Sequence, residues 1–351
     1  MQGINKEGSD GPAFALSGYG AARGEKIMGK LEILAEFGFE RDPFRGTYLD
    51  TTDALRIKRV LKMAVESRAM VAITGDRGLG KTEAVNLAMK EMELAPVRVM
   101  AADKEWVGIG DIERALILDL SQESARRTRE IRARQLRRVL GEASRQREVV
   151  LLLEESHRIH GQTLRSLKSL REMEWMGRSP LFSVVMLAQY DPFREQRGID
   201  EVRLRTDSVS MKGLTAGEVR EYVEGTVGRV FEDDATESFS RLGQAKNFLD
   251  LQEMAVGLMG RAMELGKKKV SPFEVFETYG GGLQEIRKRI GMTNETMAKE
   301  LGISKASVSL LETGKMDRLS PEFGREQYAA FADVLRKNGG EKEKTRKAVN
   351  Q

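Results

Sequence analysis

At 351 residues, with 32% charged and 40% hydrophobic side chains, the chain is long enough for two or three domains, each with its own core. It has no cysteine, which excludes disulfides, iron–sulfur clusters and thiolate zinc sites, and His157 and His160 are its only histidines, which excludes a histidine-rich metal site. A net charge of +4 does not by itself call for a polyanionic partner, and no run approaches the roughly 18 apolar residues of a membrane span, so a cytoplasmic location is expected.

Residues 1–24 scatter Gly3, Gly8, Gly11, Gly18, Gly20 and Gly24 among polar side chains and read as a flexible arm. A helix is expected over 25–37, then an aromatic turn over 38–44. Residues 53–67 carry Leu55, Val60, Leu61, Ala64 and Val65 at helical spacing. The apolar run 70–73 reads as a buried strand leading into Gly75, Asp76, Arg77, Gly78, Leu79, Gly80, Lys81 and Thr82, with Glu83 opening a helix.

That loop fits G-x-x-x-x-G-K-[ST] between a strand and a helix. Glycines let backbone N–H groups converge on phosphates, and the helix N-terminus adds its positive end. Lys81 is the expected cation for the β- and γ-phosphates and Thr82 the expected Mg²⁺ ligand.

Residues 97–100 form a second strand candidate, and 109–120 a helix. Between 124 and 147, Arg126, Arg127, Arg129, Arg132, Arg134, Arg137, Arg138, Arg145 and Arg147 meet only Glu130 and Glu142 as acids. This is either a solvated helix face or a surface for a polyanion such as DNA, with Arg126 and Arg127 among the candidate contacts.

The run 149–153 is a buried strand ending in two carboxylates. Neighbouring residues at a strand end point opposite ways, so Glu154 is assigned to the metal and Glu155 to the attacking water. Residues 163–175 read as a helix and 182–189 as another strand. Gln189 at its tip either bonds the water or γ-phosphate or simply begins a turn. Strands alternating with helices give a parallel sheet covered on both faces.

After Lys212 the strand signal stops. Helices are expected at 215–227, 232–241 and 250–266, with a junction at Lys267, Lys268 and Lys269. Residues 283–289, 294–301 and 304–311, with Gly302 between the last two, have the spacing of a helix-turn-helix. Ala298 permits close crossing, Leu301, Ile303, Val308 and Leu311 supply a core, and Ser304, Lys305, Ser307 and Ser309 face a major groove. The basic stretch 336–351 reads as a disordered tail.

The loop 75–82, the run 151–155 and the helical region 215–266 together resemble the AAA+ superfamily. Leu152 to Arg158, followed by 163–168, is similar to the transposon target-selection ATPases typified by phage Mu B protein, TnsC and IstB. The turn 39–44 and the Gln189 tip resemble the related ExeA-type ATPases, and 292–315 resembles the Cro/repressor helix-turn-helix family. The resemblance implies an α/β fold: a P-loop AAA+ parallel sheet flanked by helices (25–212), a helical lid (213–269) and an all-α helix-turn-helix domain (270–335). It implies ATP and Mg²⁺ as cofactors, ATP hydrolysis, and a ring or filament of about six subunits per turn on duplex DNA. Such an assembly recruits a transposase and comes apart on hydrolysis. An arginine from the neighbouring subunit, Arg205 or Arg203, would complete each site. Lys246 stands where the family's lid arginine is expected. A replication initiator or loader, or a nucleotide-gated transcription regulator, has the same parts.

Overall fold

The computed structural model describes residues 28–100, 107–194, 196, 198–242, 246–279, 283–312, 330–331 and 334–335. The expected arm at 1–24 and tail at 336–351 lie outside them. The chain divides into two compact units, residues 1–42 and 43–351. In the first, α1 (Lys30–Glu36) buries Ile33 and Leu34, and the chain turns at Gly38, where φ is 74°. Lys30 pairs with Asp42 at 2.8 Å.

The second unit begins with α2 (Thr52–Glu66), capped by the Thr51 hydroxyl, which accepts the Ala54 N–H. Then follow β1 (Met70–Thr74), α3 (Lys81–Glu91), β2 (Val97–Met100), α4 (Ile109–Ser121), α5 (Arg129–Gln146), β3 (Val150–Glu154), α6 (Gly161–Arg171), β4 (Ser183–Ala188), α7 (Asp200–Leu204) and β5 (Thr206–Ser210). All strand pairs are parallel, in the order β2-β3-β4-β1-β5. The central strands are apolar at successive positions because helices cover both faces. Ala72, Leu151, Leu153, Val184 and Met186 face a core shared with α4, α5 and α6. Val71, Ile73, Val150, Leu152, Val185 and Leu187 face α2 and α3. β1, β3 and β4 match the expected apolar runs; α7 and the polar edge strand β5 are additions.

Four helices follow: α8 (Ala216–Thr226), α9 (Asp233–Ser240), α10 (Phe248–Glu264) and α11 (Pro272–Tyr279). Thr215 and Glu218 form a capping box at α8, and Asn247 caps α10. The segment expected as a junction is tied into this packing. Lys267 holds the buried Glu274 carboxylate at 2.6 Å, Val270 exchanges backbone bonds with Val230 and Glu232, and α11 packs on α9 and α10.

Next come α12 (Leu283–Arg289), α13 (Asn294–Leu301) and α14 (Lys305–Glu312). Gly302 takes the left-handed conformation at the turn, with φ 64°. Val308 and Leu311 pack with Leu283, Met297 and Ala298 and with Phe331 and Leu335; Leu301 and Ile303 lie partly buried at the margin.

Candidate nucleotide site and DNA-facing surfaces

The sheet order places the tip of β4 between β1, which feeds the glycine loop, and β3, which ends in the carboxylates. Gly80, at φ 83°, is the N-cap of α3, so Lys81 and Thr82 occupy the helix's first turn. The Lys81 ammonium folds back onto the Gly75 and Asp76 carbonyls at 2.6 and 2.8 Å. Burial holds its pKa below the ordinary lysine value, against the opposing pull of Glu155 and Asp76. A half-buried cation hydrogen-bonded to the Gly75 and Asp76 carbonyls of a glycine loop fits a polyphosphate. Thr82 and Glu83 are exposed beside it.

Glu154 lies on the α3 side of β3, in phase with Val150 and Leu152. Its carboxylate receives Arg98 of β2 at 2.8 Å, and the other end of that guanidinium bonds Asn86 on α3. Glu155 leaves the strand in a left-handed conformation, φ 52°, and its side chain is 44% exposed. The two neighbours therefore diverge, with Glu155 close enough to Lys81 and His157 to act on both electrostatically. Gln189 is half-buried, and its N–H donates to His157 Nδ1 at 3.2 Å.

Among the described residues no cluster of three or more His, Asp or Glu side chains could hold a metal alone. The donor set of Thr82 and Glu154 fits a Mg²⁺ that shares its ligands with nucleotide phosphates.

The helices that follow the sheet meet the glycine loop through the start of α10. Phe248 N–H donates to the Gly78 carbonyl at 2.9 Å. A Cβ on Gly78 would stand 2.7 Å from Asn247 Oδ1 and 2.9 Å from Leu249 Cγ, so glycine is needed for contact as well as for its φ of 78°. Lys246 precedes this helix. Its carbonyl accepts Leu214 N–H at 2.9 Å, and it lines a cavity of about 330 Å³ with Lys212, Ser240 and Arg241. Between β5 and α8, the buried Asp53 carboxylate accepts the Lys212 and Gly213 N–H groups at 2.6 and 3.0 Å.

Arg203 and Arg205 emerge at the end of α7, both more than half exposed. Arg205 pairs with Glu172 at 2.8 Å and Arg203 with Asp191 at 3.7 Å.

The arginine series is less free than its sequence suggests. Arg132 pairs with the buried Glu113 at 2.7 Å and Arg138 with Glu123 at 2.6 Å, partners that stand outside the run in sequence. Arg126 and Arg127 are exposed; the Arg126 N–H donates to Gln135.

In the helix-turn-helix, Ser304 Oγ accepts the Ser307 N–H and lies 2.9 Å from Ser307 Oγ, so both serines are engaged in capping α14. Lys305 and Ser309 are exposed, with Lys305 3.2 Å from Glu295. Sequence reasoning missed Arg98, His157, Asp53 and Phe248. Only His157 carried a signal, as one of two histidines, two residues past the carboxylates.

Family comparisons agree with this architecture. The profile of the family described as "AAA domain" matches residues 64–196, and that described as "Helix-turn-helix" matches 283–323. No curated protein matches the chain. Among solved structures, Cdc6p from Pyrobaculum aerophilum aligns with 13% identity over 84% of each chain, at a TM-score of 0.51. The Aeropyrum pernix Orc1 protein in complex with DNA aligns with 16% identity over 85% of this chain and 84% of that one, at a TM-score of 0.46. The Thermotoga maritima RuvB Holliday junction branch migration motor gives 18% identity over 76% and 88%, at 0.41. The fold is thus AAA+-like α/β, a parallel sheet flanked by helices, with a separate all-α helix-turn-helix domain after it. More specifically, residues 64–196 match the AAA domain family, and the likeness to Cdc6p, at 13% identity, is one of fold. No helix among the described residues is long and apolar enough to cross a membrane.

Proposed function

We propose that this protein is an ATP-dependent, DNA-binding AAA+ regulator of the replication initiator or loader type, working as an assembly of several copies on duplex DNA. The observation that carries the reading is the joining, in one chain, of a lid seated on a glycine loop and a C-terminal helix-turn-helix. The loop amides and Lys81 bind the phosphates. Thr82 and Glu154 would hold Mg²⁺, whose charge would offset that developing on the transferred phosphoryl group. Glu155 polarises the attacking water, and Gln189 bonds the water or γ-phosphate. Arg205 or Arg203 reaches the phosphates of a neighbouring copy.

Because α10 touches the loop directly, a nucleotide that reshapes the loop would act on α10, and this would link phosphate binding to the helices leading into the DNA-reading unit. Lys246, whose carbonyl accepts the Leu214 N–H, would respond to such a change. Arg126 and Arg127 grip DNA phosphates without reading sequence. Lys305 and Ser309 reach base edges, with Ser304 and Ser307 holding the helix that presents them.

A second reading, a transposon target-selection ATPase that recruits a transposase, is favoured by the resemblance of residues 152–158 and 163–168 to that group. The order of domains supports the first, since phage Mu B protein carries its helix-turn-helix at the other end.

DNA-binding titrations with ATP or a slowly hydrolysed analogue, at two salt concentrations, test the general reading. Nucleotide should tighten binding, Lys81→Ala should remove that effect, and Lys305→Ala should weaken only the preferred site, by about 1–3 kcal/mol. Equal binding with and without nucleotide would overturn it. Mapping the bound sites in cells separates the two finer forms: a discrete origin for an initiator, dispersed targets near an integrase-type transposase for the other.

A further inference from the structure

We propose that His157 is a positioning residue for Glu155: its Nδ1 is anchored by the Gln189 main chain, and its Nε2–H is directed at the Glu155 carboxylate. The inference rests on Glu155 being the carboxylate that polarises water.

The tautomer follows from the hydrogen bond. A backbone amide can only donate, and Gln189 N–H donates to Nδ1 at 3.2 Å, so in the neutral ring the proton sits on Nε2. Nε2 lies 3.6 Å from Glu155 Oε2. That is beyond hydrogen-bond length, in the range that tightens when a catalytic site fills.

The ring has little room to turn elsewhere. Its side chain is 7% exposed, and Tyr190 lies against it at 4.8 Å between centroids. Burial lowers the imidazole pKa, with Arg158, Lys81 and Arg77 pushing the same way and Glu155 opposing, so the neutral form prevails near pH 7.

The carboxylate needs such support. Glu155 sits past the end of β3 in a left-handed backbone, held by the Arg158 N–H on its carbonyl at 2.8 Å and by Ser156 Oγ on Leu187 at 3.0 Å. Those bonds fix the main chain and leave the side chain, 44% exposed, free to swing. His157 supplies the missing restraint and ties it to the tip of β4. A shift of Gln189 against the γ-phosphate would thereby move the donor that aims Glu155.

Two substitutions divide the ring's two contacts. His157→Asn places an acceptor near Nδ1 and removes the donor at Nε2; His157→Gln extends a donor toward the Nε2 position. The expected result for Asn is a fall in kcat on the order of tenfold to a hundredfold, with ATP affinity from direct binding unchanged and much of the rate restored in Gln. In the Glu155→Gln background, His157→Asn should add no further loss. Imidazole ¹⁵N shifts, simple with two histidines, should show Nδ1 unprotonated in His157. A full-rate His157→Asn beside an inert Glu155→Gln, a proton on Nδ1, or Asn and Gln falling equally with lost ATP affinity would overturn the inference alone. Undiminished hydrolysis by Glu155→Gln would overturn the reading beneath it as well.

Discussion

Two arginine–glutamate pairs, one on the sheet and one in the helix-turn-helix, differ in one physical respect. Arg98 and Glu154, at the carboxyl edge of the sheet, have side chains 40% and 14% exposed. Arg287 and Glu312, joining α12 to the end of α14, are 7% and 2% exposed, and Arg287 also caps the Met292 carbonyl at 2.7 Å. In water-rich surroundings such a pair contributes about 1 kcal/mol or less and can be exchanged for another partner. In a dry one, loss of either member strands a charge. On the proposed function, the more open pairs lie where charges would change partners, and the fully buried one where helices have to stay together. Arg205–Glu172 and Arg203–Asp191 belong to the exposed class, Arg132–Glu113 to the buried one.

The strongest way to break this contrast uses the exposed arginines. If Arg205 leaves Glu172 for a neighbour's phosphates, Arg205→Ala should lower hydrolysis by about 10³-fold or more, the scale of arginines supplied in trans. Mixing it with Lys81→Ala chains should restore part of the activity, since intact half-sites then meet. Failure of both the Arg205 and Arg203 variants to complement would show that neither acts across a boundary.

Next in size is the buried pair. Arg287→Ala should cost the helix-turn-helix about 3–5 kcal/mol, seen as lost hydrogen-exchange protection in residues 283–312, while nucleotide binding through Lys81 persists. Replacing both members, Arg287→Met with Glu312→Leu, should recover much of that stability. A loss under about 1 kcal/mol in the single variant would put this pair in the exposed class after all.

What could be read beforehand follows the same division between local and distant causes. β1, β3 and β4 are continuous apolar runs because both faces are buried, and the glycine loop and Gly302 turn mark themselves through residues that tolerate positive φ. β5 was silent: Thr206-Asp207-Ser208-Val209-Ser210 is a polar edge strand, held by its backbone pairing with β1. The arginine run looked nearly uncompensated because Glu113 reaches it only through the α4–α5 packing, and Glu123, just before the run, meets Arg138 fifteen residues on. The seat of α10 on Gly78 joins residues about 170 positions apart, beyond any periodicity. The two carboxylates were legible as a pair, whereas Arg98 and His157, which distinguish them, depend on strand order and on the turn at Glu155.

The smallest predicted effect concerns Arg98, and it bears directly on the contrast. Its guanidinium occupies the Glu154 carboxylate and also holds Asn86, two groups on the side of the sheet where the first turn of α3 presents Thr82. A cation that binds Glu154 has to compete with a charge already there. Arg98→Met removes the charge and keeps much of the chain length over β2. Stability should change by about 1 kcal/mol or less, because the pair is partly open to water. The Mg²⁺ concentration at half-saturation for nucleotide binding, followed by calorimetry without turnover, should fall by about fivefold or less, the same energy expressed as an equilibrium constant. Glu154→Gln should raise it instead, since an amide is a weaker ligand for a hard cation. An unchanged Mg²⁺ dependence in both variants would place the metal away from Glu154, and Arg98–Glu154 would then be a structural tie between β2 and β3 that happens to be exposed.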